Sequence, residues 1–172
     1  MKLTMRLQED SYDIIISRGA LSRLGKVTNL MNRKVLVVTD DGVPAEYADT
    51  VLAQCSDGVR LVLPQGESSK NLKNLETVLS ALLSNEFTRR DAVVAVGGGV
   101  IGDLAGFAAA CYMRGIAFIN CPTTTLSQID SSIGGKTAVD LNGVKNIVGA
   151  FYQPEIVVID PDTLDTLPRR HW

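Results

Sequence analysis

Short runs of β-branched and other apolar residues alternate along the chain with longer segments in which apolar positions recur at helical spacing. Such a run is typical of a strand buried on both faces of a sheet, and a recurring stripe is typical of a helix that covers the sheet. The stripe is clearest between 71 and 86, where leucine and valine share one helical face. The pattern predicts strands at 35–40, 60–64, 91–96, 116–121 and 156–159; helices at 20–31, 45–55, 71–86 and 124–132; and a further helix running from the glycines at 97–99 through 111.

The first residues of the chain predict a β-hairpin. Two short extended runs, 2–8 and 12–17, meet around the polar residues at 8–10. Strands that alternate with helices imply a parallel sheet covered on both faces. We therefore predict an α/β fold with a Rossmann-like parallel sheet, helices on both faces, an N-terminal β-hairpin, and one domain over residues 1–172.

Composition excludes several classes of function. The 172 residues include 17 basic and 19 acidic side chains, a net charge of −2 that argues against nucleic-acid binding. The three cysteines show no CxxC spacing, so we expect a reducing, cytoplasmic environment rather than a disulfide framework. No run approaches the roughly 18 apolar residues of a membrane-spanning helix, and the N-terminus lacks the apolar run of a signal peptide.

The strongest local motif is a glycine-rich turn after the strand at 91–96. Gly97, Gly99 and Gly102 satisfy GxGxxG between a strand and a helix, the context in which backbone amides approach a pyrophosphate. The alternative is a tight turn that glycine allows to pack closely. A dinucleotide fold usually places an acid about 20 residues further on, for the ribose; here the next strand ends without one. Candidates on neighbouring strand ends, each also interpretable as a solvated loop residue, are Asp40, Glu67 and Lys70.

A second motif covers 122–154, where Asp130, Lys136, Lys145 and Asn146 lie among glycines and serines. Small residues leave room around a ligand, and lysines supply charge for a carboxylate or phosphate. Surface lysines on a loop would explain the same composition. Arg114 follows the helix after the glycine turn and, from the residues alone, is interpreted as a surface arginine that complements the helix dipole.

Five segments together resemble the 3-dehydroquinate synthase family, within the sugar phosphate cyclases, from about residue 35 to the end. Many members carry proline and glycine around 140–144, where this chain has DLNGV; we interpret the difference as a loop variation. The segments are GESSK at 66–70, GGGVIGDLAGF at 97–107, YMRG at 112–115, PTTTLSQIDSSIGGKTA at 122–138 and KNIVGAFYQP at 145–154.

The resemblance implies a lyase of the shikimate pathway, which leads to chorismate and the aromatic amino acids. Such an enzyme converts 3-deoxy-D-arabino-heptulosonate 7-phosphate, a phosphorylated keto sugar acid, into 3-dehydroquinate and phosphate. NAD oxidises one hydroxyl carbon, phosphate is eliminated, the hydride returns, and an intramolecular aldol step closes the ring. A divalent metal, zinc or cobalt, polarises the oxygens. The family also implies a cytoplasmic homodimer, and the start at Met1 favours a stand-alone enzyme.

The resemblance also implies roles for individual residues. Arg114 resembles an arginine donated across a dimer interface to the substrate phosphate. The implied catalytic and substrate residues are Asp130, Lys136, Asn146 and Arg114. The implied cofactor contacts are Asp40, Glu67, Lys70, Gly98, Gly99, Val100, Gly102, Asp103, Thr123, Thr124, Lys136, Lys145, Thr163 and Thr166.

The family's metal ligands are a glutamate beyond position 172 and two histidines in a helical C-terminal domain. His171, the single histidine of the chain, matches none of them. We therefore expect a chain truncated before the helical metal-binding domain, inactive alone, with an apolar face where that domain would pack. Two alternatives stay open: another sugar phosphate cyclase, of the deoxy-inosose or valiolone type, or a non-catalytic NAD-binding module. Glycerol-dehydrogenase-like enzymes share a related glycine turn but lack DSSIGGKTA.

Overall fold

The computed structural model describes residues 1–168, in which nine strands form a seven-stranded sheet and a separate two-stranded ribbon. The strands are β1 Lys2–Met5, β2 Tyr12–Ile16, β3 Lys34–Asp40, β4 Asp57–Leu63, β5 Ala92–Gly97, β6 Ala117–Pro122, β7 Lys136–Leu141, β8 Val144–Phe151 and β9 Ile156–Ile159. The α-helices are α1 Leu24–Val27, α2 Ala45–Leu52, α3 Leu72–Ser84 and α4 Gly99–Cys111. Short 3-10 helices occupy Leu21–Arg23, Glu67–Ser69, Tyr112–Arg114 and Pro161–Thr166, and Ser127–Ser131 is a π-helix.

The main sheet has the order β1-β2-β9-β6-β5-β3-β4. Only β1 and β2 pair antiparallel; every other neighbouring pair is parallel. The predicted α/β Rossmann-like sheet is thus confirmed, and so is the N-terminal hairpin. The hairpin extends the sheet because β2 pairs in parallel with β9.

Strand β3 shows how the apolar runs build two cores. Leu36 and Val38 face α3 and α4, whereas Val35 and Val37 face α1 and α2 on the opposite side of the sheet. All four side chains are fully buried. Burying one such side chain stabilises a fold by about 1.5–3 kcal/mol, which is why the continuous apolar runs specify the central strands.

One predicted helix was too long, and another has an unusual geometry. The segment 20–31 forms only the 3-10 turn and the four residues of α1, because the chain leaves the helix at Thr28 in an extended conformation. The side chain of Asn29 then accepts the amide of Asn32 and closes a turn instead. The helix predicted at 124–132 is confirmed to within one residue at each end, because residues 125–131 are helical, with π-helical geometry at Ser127–Ser131.

The ribbon of β7 and β8 lies where no regular element was predicted. Its strands are joined by Asn142 and Gly143, with φ angles of 50° and 78°. Positive φ at both central residues gives the turn twist that a two-residue hairpin needs, and Asn-Gly is the dipeptide that adopts it most readily. The departure at 140–144, interpreted above as a loop variation, is therefore a hairpin turn.

The ribbon packs on the outer side of α4. A Cβ atom on Gly106 of this helix would lie 2.7 Å from Cγ2 of Thr137 in β7 and 3.0 Å from a ring carbon of Phe118 in β6. Helix α4 therefore packs between the sheet and the ribbon, and only glycine at position 106 allows both to approach the helix this closely.

Candidate functional site

The glycine turn connects the end of β5 to the start of α4. Gly98 is the N-cap residue of α4 and supplies no side-chain cap. A Cβ atom on Gly98 would lie 3.2 Å from Cγ2 of Thr124, and one on Gly99 would lie 3.1 Å from Oγ of Ser131. Because glycine has no side chain, the segment after β6 can pack closely against the turn. The amides in the first turn of α4 have no partner within the helix, as in the anion sites at other helix N-termini.

A cleft of about 630 Å³, hereafter the dinucleotide cleft, opens at this turn. It lies at the carboxyl ends of β3, β5 and β6, the edge at which parallel α/β sheets bind ligands. Eight residues implied as cofactor contacts line it: Asp40, Gly98, Gly99, Val100, Thr123, Thr124, Thr163 and Thr166.

Two side chains that the sequence did not single out hold the walls of the dinucleotide cleft. The amide nitrogen of buried Gln128 donates to the carbonyl oxygens of Pro122 and Asp160, at 3.1 and 3.2 Å, and to Oγ1 of Thr163 at 3.0 Å. The Tyr47 hydroxyl shares a hydrogen bond of 2.9 Å with a second threonine of the wall, at position 166. A glutamine or tyrosine carries no local pattern that predicts such contacts.

Asp40 has a structural role as well as a place in the dinucleotide cleft. Its Oδ1 accepts the amides of Gly42 and Val43, at 2.9 and 3.1 Å, and so closes the turn after β3. Burial raises the pKa of this carboxyl above its usual value, although the two amides oppose that shift.

A second cleft, of about 500 Å³, lies between the first turns of α4, the segment 130–133 and the ribbon; it is named the ribbon cleft here. Four predicted site residues line it: Asp103, Asp130, Lys136 and Asn146. Within residues 1–168 Lys136 takes part in no ion pair, so its charge can be matched by an anionic ligand.

Lys70 is buried and forms an ion pair with Asp103, which lines the ribbon cleft. Its Nζ lies 2.9 Å from Oδ2 of Asp103 and 3.6 Å from Oε1 of Glu67. Burial lowers the pKa of Lys70, but the hydrogen bond and the charges of its carboxylate neighbours outweigh burial and raise it. Burial raises the pKa of Asp103 against the opposing effect of Lys70. We take the pair as ionised near neutral pH, because each charge has its partner at hydrogen-bonding distance.

Besides Glu67 and Lys70, three predicted site residues line neither cleft. Gly102 packs against Asn120, whose Nδ2 would lie 3.3 Å from a Cβ atom. Lys145 is exposed on β8. Arg114 is exposed at the far end of α4, and a helix of 13 residues separates it from the glycine turn by about 20 Å. Its contribution across a dimer interface stays a prediction, and His171 lies outside the described residues.

No group of three or more histidine, cysteine, aspartate or glutamate side chains within residues 1–168 could hold a metal ion. The same part of the chain contains no helix long and apolar enough to span a membrane.

Residues 60–172 match the family model of the 3-dehydroquinate synthase N-terminal region. The chain belongs to the 3-dehydroquinate synthase family. The 3-dehydroquinate synthase of Methylococcus capsulatus is 53% identical over 171 residues, which are 98% of this chain and 48% of that protein. The 3-dehydroquinate synthase of Alkaliphilus metalliredigens is 49% identical over 172 residues, again 98% of this chain and 48% of the relative. This family member thus spans about half the length of the curated relatives it matches.

Solved structures of related cyclases share the fold of this 3-dehydroquinate synthase family member. A 2-deoxy-scyllo-inosose synthase complexed with carbaglucose-6-phosphate, NAD+ and Co2+ superposes with a TM-score of 0.91 at 30% identity, over 99% of this chain and 48% of that one. The 2-epi-5-epi-valiolone synthase of Streptomyces hygroscopicus, with NAD+ and Zn2+ bound, gives 0.86 at 31% identity, over 97% and 48%. Glycerol dehydrogenase from Schizosaccharomyces pombe, at 22% identity and a TM-score of 0.68 over 92% and 39%, shares the fold alone.

Proposed function

We propose that this chain is the NAD-binding half of an enzyme that converts 3-deoxy-D-arabino-heptulosonate 7-phosphate into 3-dehydroquinate and phosphate. One observation carries the proposal: the dinucleotide cleft and the ribbon cleft both open on the first turns of α4, with Val100 in one and Asp103 in the other. A dinucleotide seated on the glycine turn would reach the ribbon cleft with its far end. The match of residues 60–172 to the family model supports the same assignment.

The residues of the dinucleotide cleft fit NAD. The pyrophosphate would lie on the amides of Gly99 and Val100, where the helix dipole favours negative charge. The carboxylate of Asp40 would accept hydrogen bonds from ribose hydroxyls, and Thr123 and Thr124 would border the phosphates. When bound, NAD supplies the oxidation and later re-reduction of one substrate carbon.

The ribbon cleft fits a small phosphorylated sugar acid. Lys136 would neutralise a carboxylate or phosphate, since an ammonium group is a compact point charge for such anions. Asp130 would accept substrate hydroxyl protons in hydrogen bonds, and the amide of Asn146 offers both a donor and an acceptor. Asp103, paired with Lys70, would position the substrate end of the cofactor.

The described residues do not fit a divalent metal, so no step of this proposal passes through one. We therefore infer that the chain binds ligands without turning them over. Exposed apolar side chains that line the two clefts support a covering domain: these are Leu126, Ile147 and Phe151. A cytoplasmic homodimer, with Arg114 serving the partner's site, belongs to the same proposal.

A second candidate is another sugar phosphate cyclase. The close superposition on 2-deoxy-scyllo-inosose synthase favours that class. The higher identity to 3-dehydroquinate synthases, 53% against 30%, favours the heptulosonate substrate.

The proposal is tested by titrating the chain with NAD in a calorimeter. We expect saturable binding by the wild-type chain, and loss of at least about tenfold in affinity for Gly99→Val. A Cβ atom at this position would lie 3.1 Å from Oγ of Ser131, so the larger side chain would displace the segment that closes over the α4 amides. Gly25→Ala is the control, because its Cβ atom would meet only ordinary contacts, the nearest at 3.5 Å, and Gly25 lines neither cleft. Absence of NAD binding by the wild-type chain would contradict the proposal.

Substrate identity requires a second measurement. Phosphate release from the heptulosonate phosphate, with NAD and zinc or cobalt present, is compared between this chain and a protein that continues through the half present in the relatives. We expect release by the longer protein alone. Release by neither would favour a different sugar phosphate or a role limited to NAD binding.

A further inference from the structure

Asp140 lies in β7 at the point where the register of the ribbon changes. Between Val139 and Leu141, the single residue Asp140 stands opposite the three residues 145–147 of β8. This is a β-bulge, a feature that redirects side chains and is common beside binding sites. The bulge contains Lys145 and Asn146, both predicted site residues.

The side chain of Asp140 holds the bulge. Its Oδ1 accepts the backbone amide of Asn146 at 2.8 Å. Asn146 has a φ angle of 55°, in the left-handed region, which asparagine adopts more readily than most residues but at a cost relative to glycine. A carboxylate that accepts the amide at this residue stabilises the conformation directly.

The backbone of Asp140 attaches the ribbon to a different segment. Its amide donates to the carbonyl oxygen of Lys70 at 2.9 Å, and Asn71 forms an isolated parallel bridge with it. Lys70 in turn contacts Asp103 in the ribbon cleft. Asp140 therefore joins the loop that carries Glu67 and Lys70 to the bulge.

The charge of the Asp140 carboxylate interacts with the bulge and with Lys70. The amide of Asn146 lowers the pKa of this carboxyl most, burial opposes that shift, and the charges of Lys70 and Lys145 lower the pKa further. The carboxylate is thus ionised at neutral pH, and it attracts two lysines that the resemblance implies as cofactor contacts.

We propose that Asp140 is a positioning residue that holds Lys145 and Asn146 in the bulge and fixes that bulge relative to Lys70. The inference rests on the proposed function, because positioning matters only if the cofactor contacts these lysines. The ligand affected is a dinucleotide, whose negative charge the two lysines meet.

The test combines two measurements on the whole chain. Amide hydrogen exchange, followed by NMR, reports the Asp140–Asn146 bond, and calorimetry gives the dissociation constant for NAD. For Asp140→Ala we expect exchange at Asn146 and the NAD dissociation constant each to rise about tenfold, the size of a lost hydrogen bond to a charged group. Asp140→Asn keeps an oxygen acceptor and should stay within about threefold of wild type. Asp57→Ala, an exposed carboxylate at the start of β4, is the matched control.

Each outcome decides one question. Unchanged NAD affinity in Asp140→Ala, whether or not Asn146 loses protection, would overturn the positioning role. If wild-type chain fails to bind NAD, the proposed function fails, and unchanged exchange at Asn146 in Asp140→Ala would still overturn the structural half of the inference. If Asp140→Ala does not fold, the Asp140→Ala change is made in an Asn146→Gly background, because glycine adopts the left-handed conformation unaided. Equal NAD affinity of Asn146→Gly and of the double variant supports the positioning role, and a further loss of affinity in the double variant overturns it.

Discussion

Replacing Lys70 by methionine tests whether this lysine stabilises the fold, independently of any contact with a cofactor. Its Nζ lies 2.9 Å from Asp103, and the two side chains are 6% and 18% exposed. Removing one partner of a buried ion pair costs about 3–5 kcal/mol, because the other charge stays buried without compensation. Asp103 keeps some contact with water, so we expect the lower end, about 3 kcal/mol. That is a large part of the 5–15 kcal/mol by which domains are typically stable.

The assay is urea unfolding followed by circular dichroism, applied to Lys70→Met, Asp103→Asn and the double variant. Asp103→Asn should cost less than Lys70→Met, since Glu67 still lies 3.6 Å from the ammonium group. The double variant leaves no unpaired charge at the pair and should be more stable than the sum of the single losses predicts, by about 1–3 kcal/mol of coupling. Additive losses, or a loss below about 1 kcal/mol for Lys70→Met, would refute the reasoning and leave the lysine available to a ligand.

Two further predictions concern packing and burial. Gly106→Ala should lower the free energy of unfolding by about 1–2 kcal/mol, the cost of overpacking less the gain in helix propensity. Thr137→Ser removes the methyl group that the added Cβ atom would contact, so it should restore part of the lost stability in the same urea assay. An unchanged free energy of unfolding in Gly106→Ala would show that the ribbon packs loosely on α4. Burial raises the pKa of Cys121 to about 12, so a disulfide reagent at pH 8 should modify exposed Cys111 in the native chain and Cys121 only after unfolding; modification of both at one rate would contradict the buried position.

The central sheet could be predicted because its signal is local. The runs at 35–40 and 91–96 are apolar at successive positions, and only a strand covered on both faces uses every such residue. Their predicted bounds differ from β3 and β5 by a residue at most at each end. The hydrophobic stripe of 71–86 was equally informative, although Leu83 of that stripe is exposed in the structure.

The ribbon was missed although part of its signal was present. Asn142-Gly143 is a strong hairpin turn, but the flanking residues do not alternate cleanly, because Lys145, Asn146 and Ile147 form a bulge instead of a regular strand. The bulge depends on a carboxylate in the facing strand.

The arrangement of the candidate site depends on contacts between residues far apart in sequence. Gln128 joins the end of β6 to Thr163, and Lys70 reaches a helix that begins 29 residues later along the chain, at Gly99. Motifs could name Lys70 and Asp103 as candidates, but not that they pair with each other. Propensity and periodicity describe single segments and contain no information about such pairs.

The two interpretations of the glycine turn, close packing and anion binding, describe one arrangement and do not compete. Gly98 and Gly99 admit Thr124 and Ser131 against the turn, and Gly106 admits the ribbon against α4. The helix is thereby fixed on both sides, so its first-turn amides have one position relative to the sheet. An anion site needs such fixed donors, since donors that must reorganise around the ligand contribute less to binding. Glycines that serve packing along α4 therefore also set the distance between the dinucleotide cleft and the ribbon cleft.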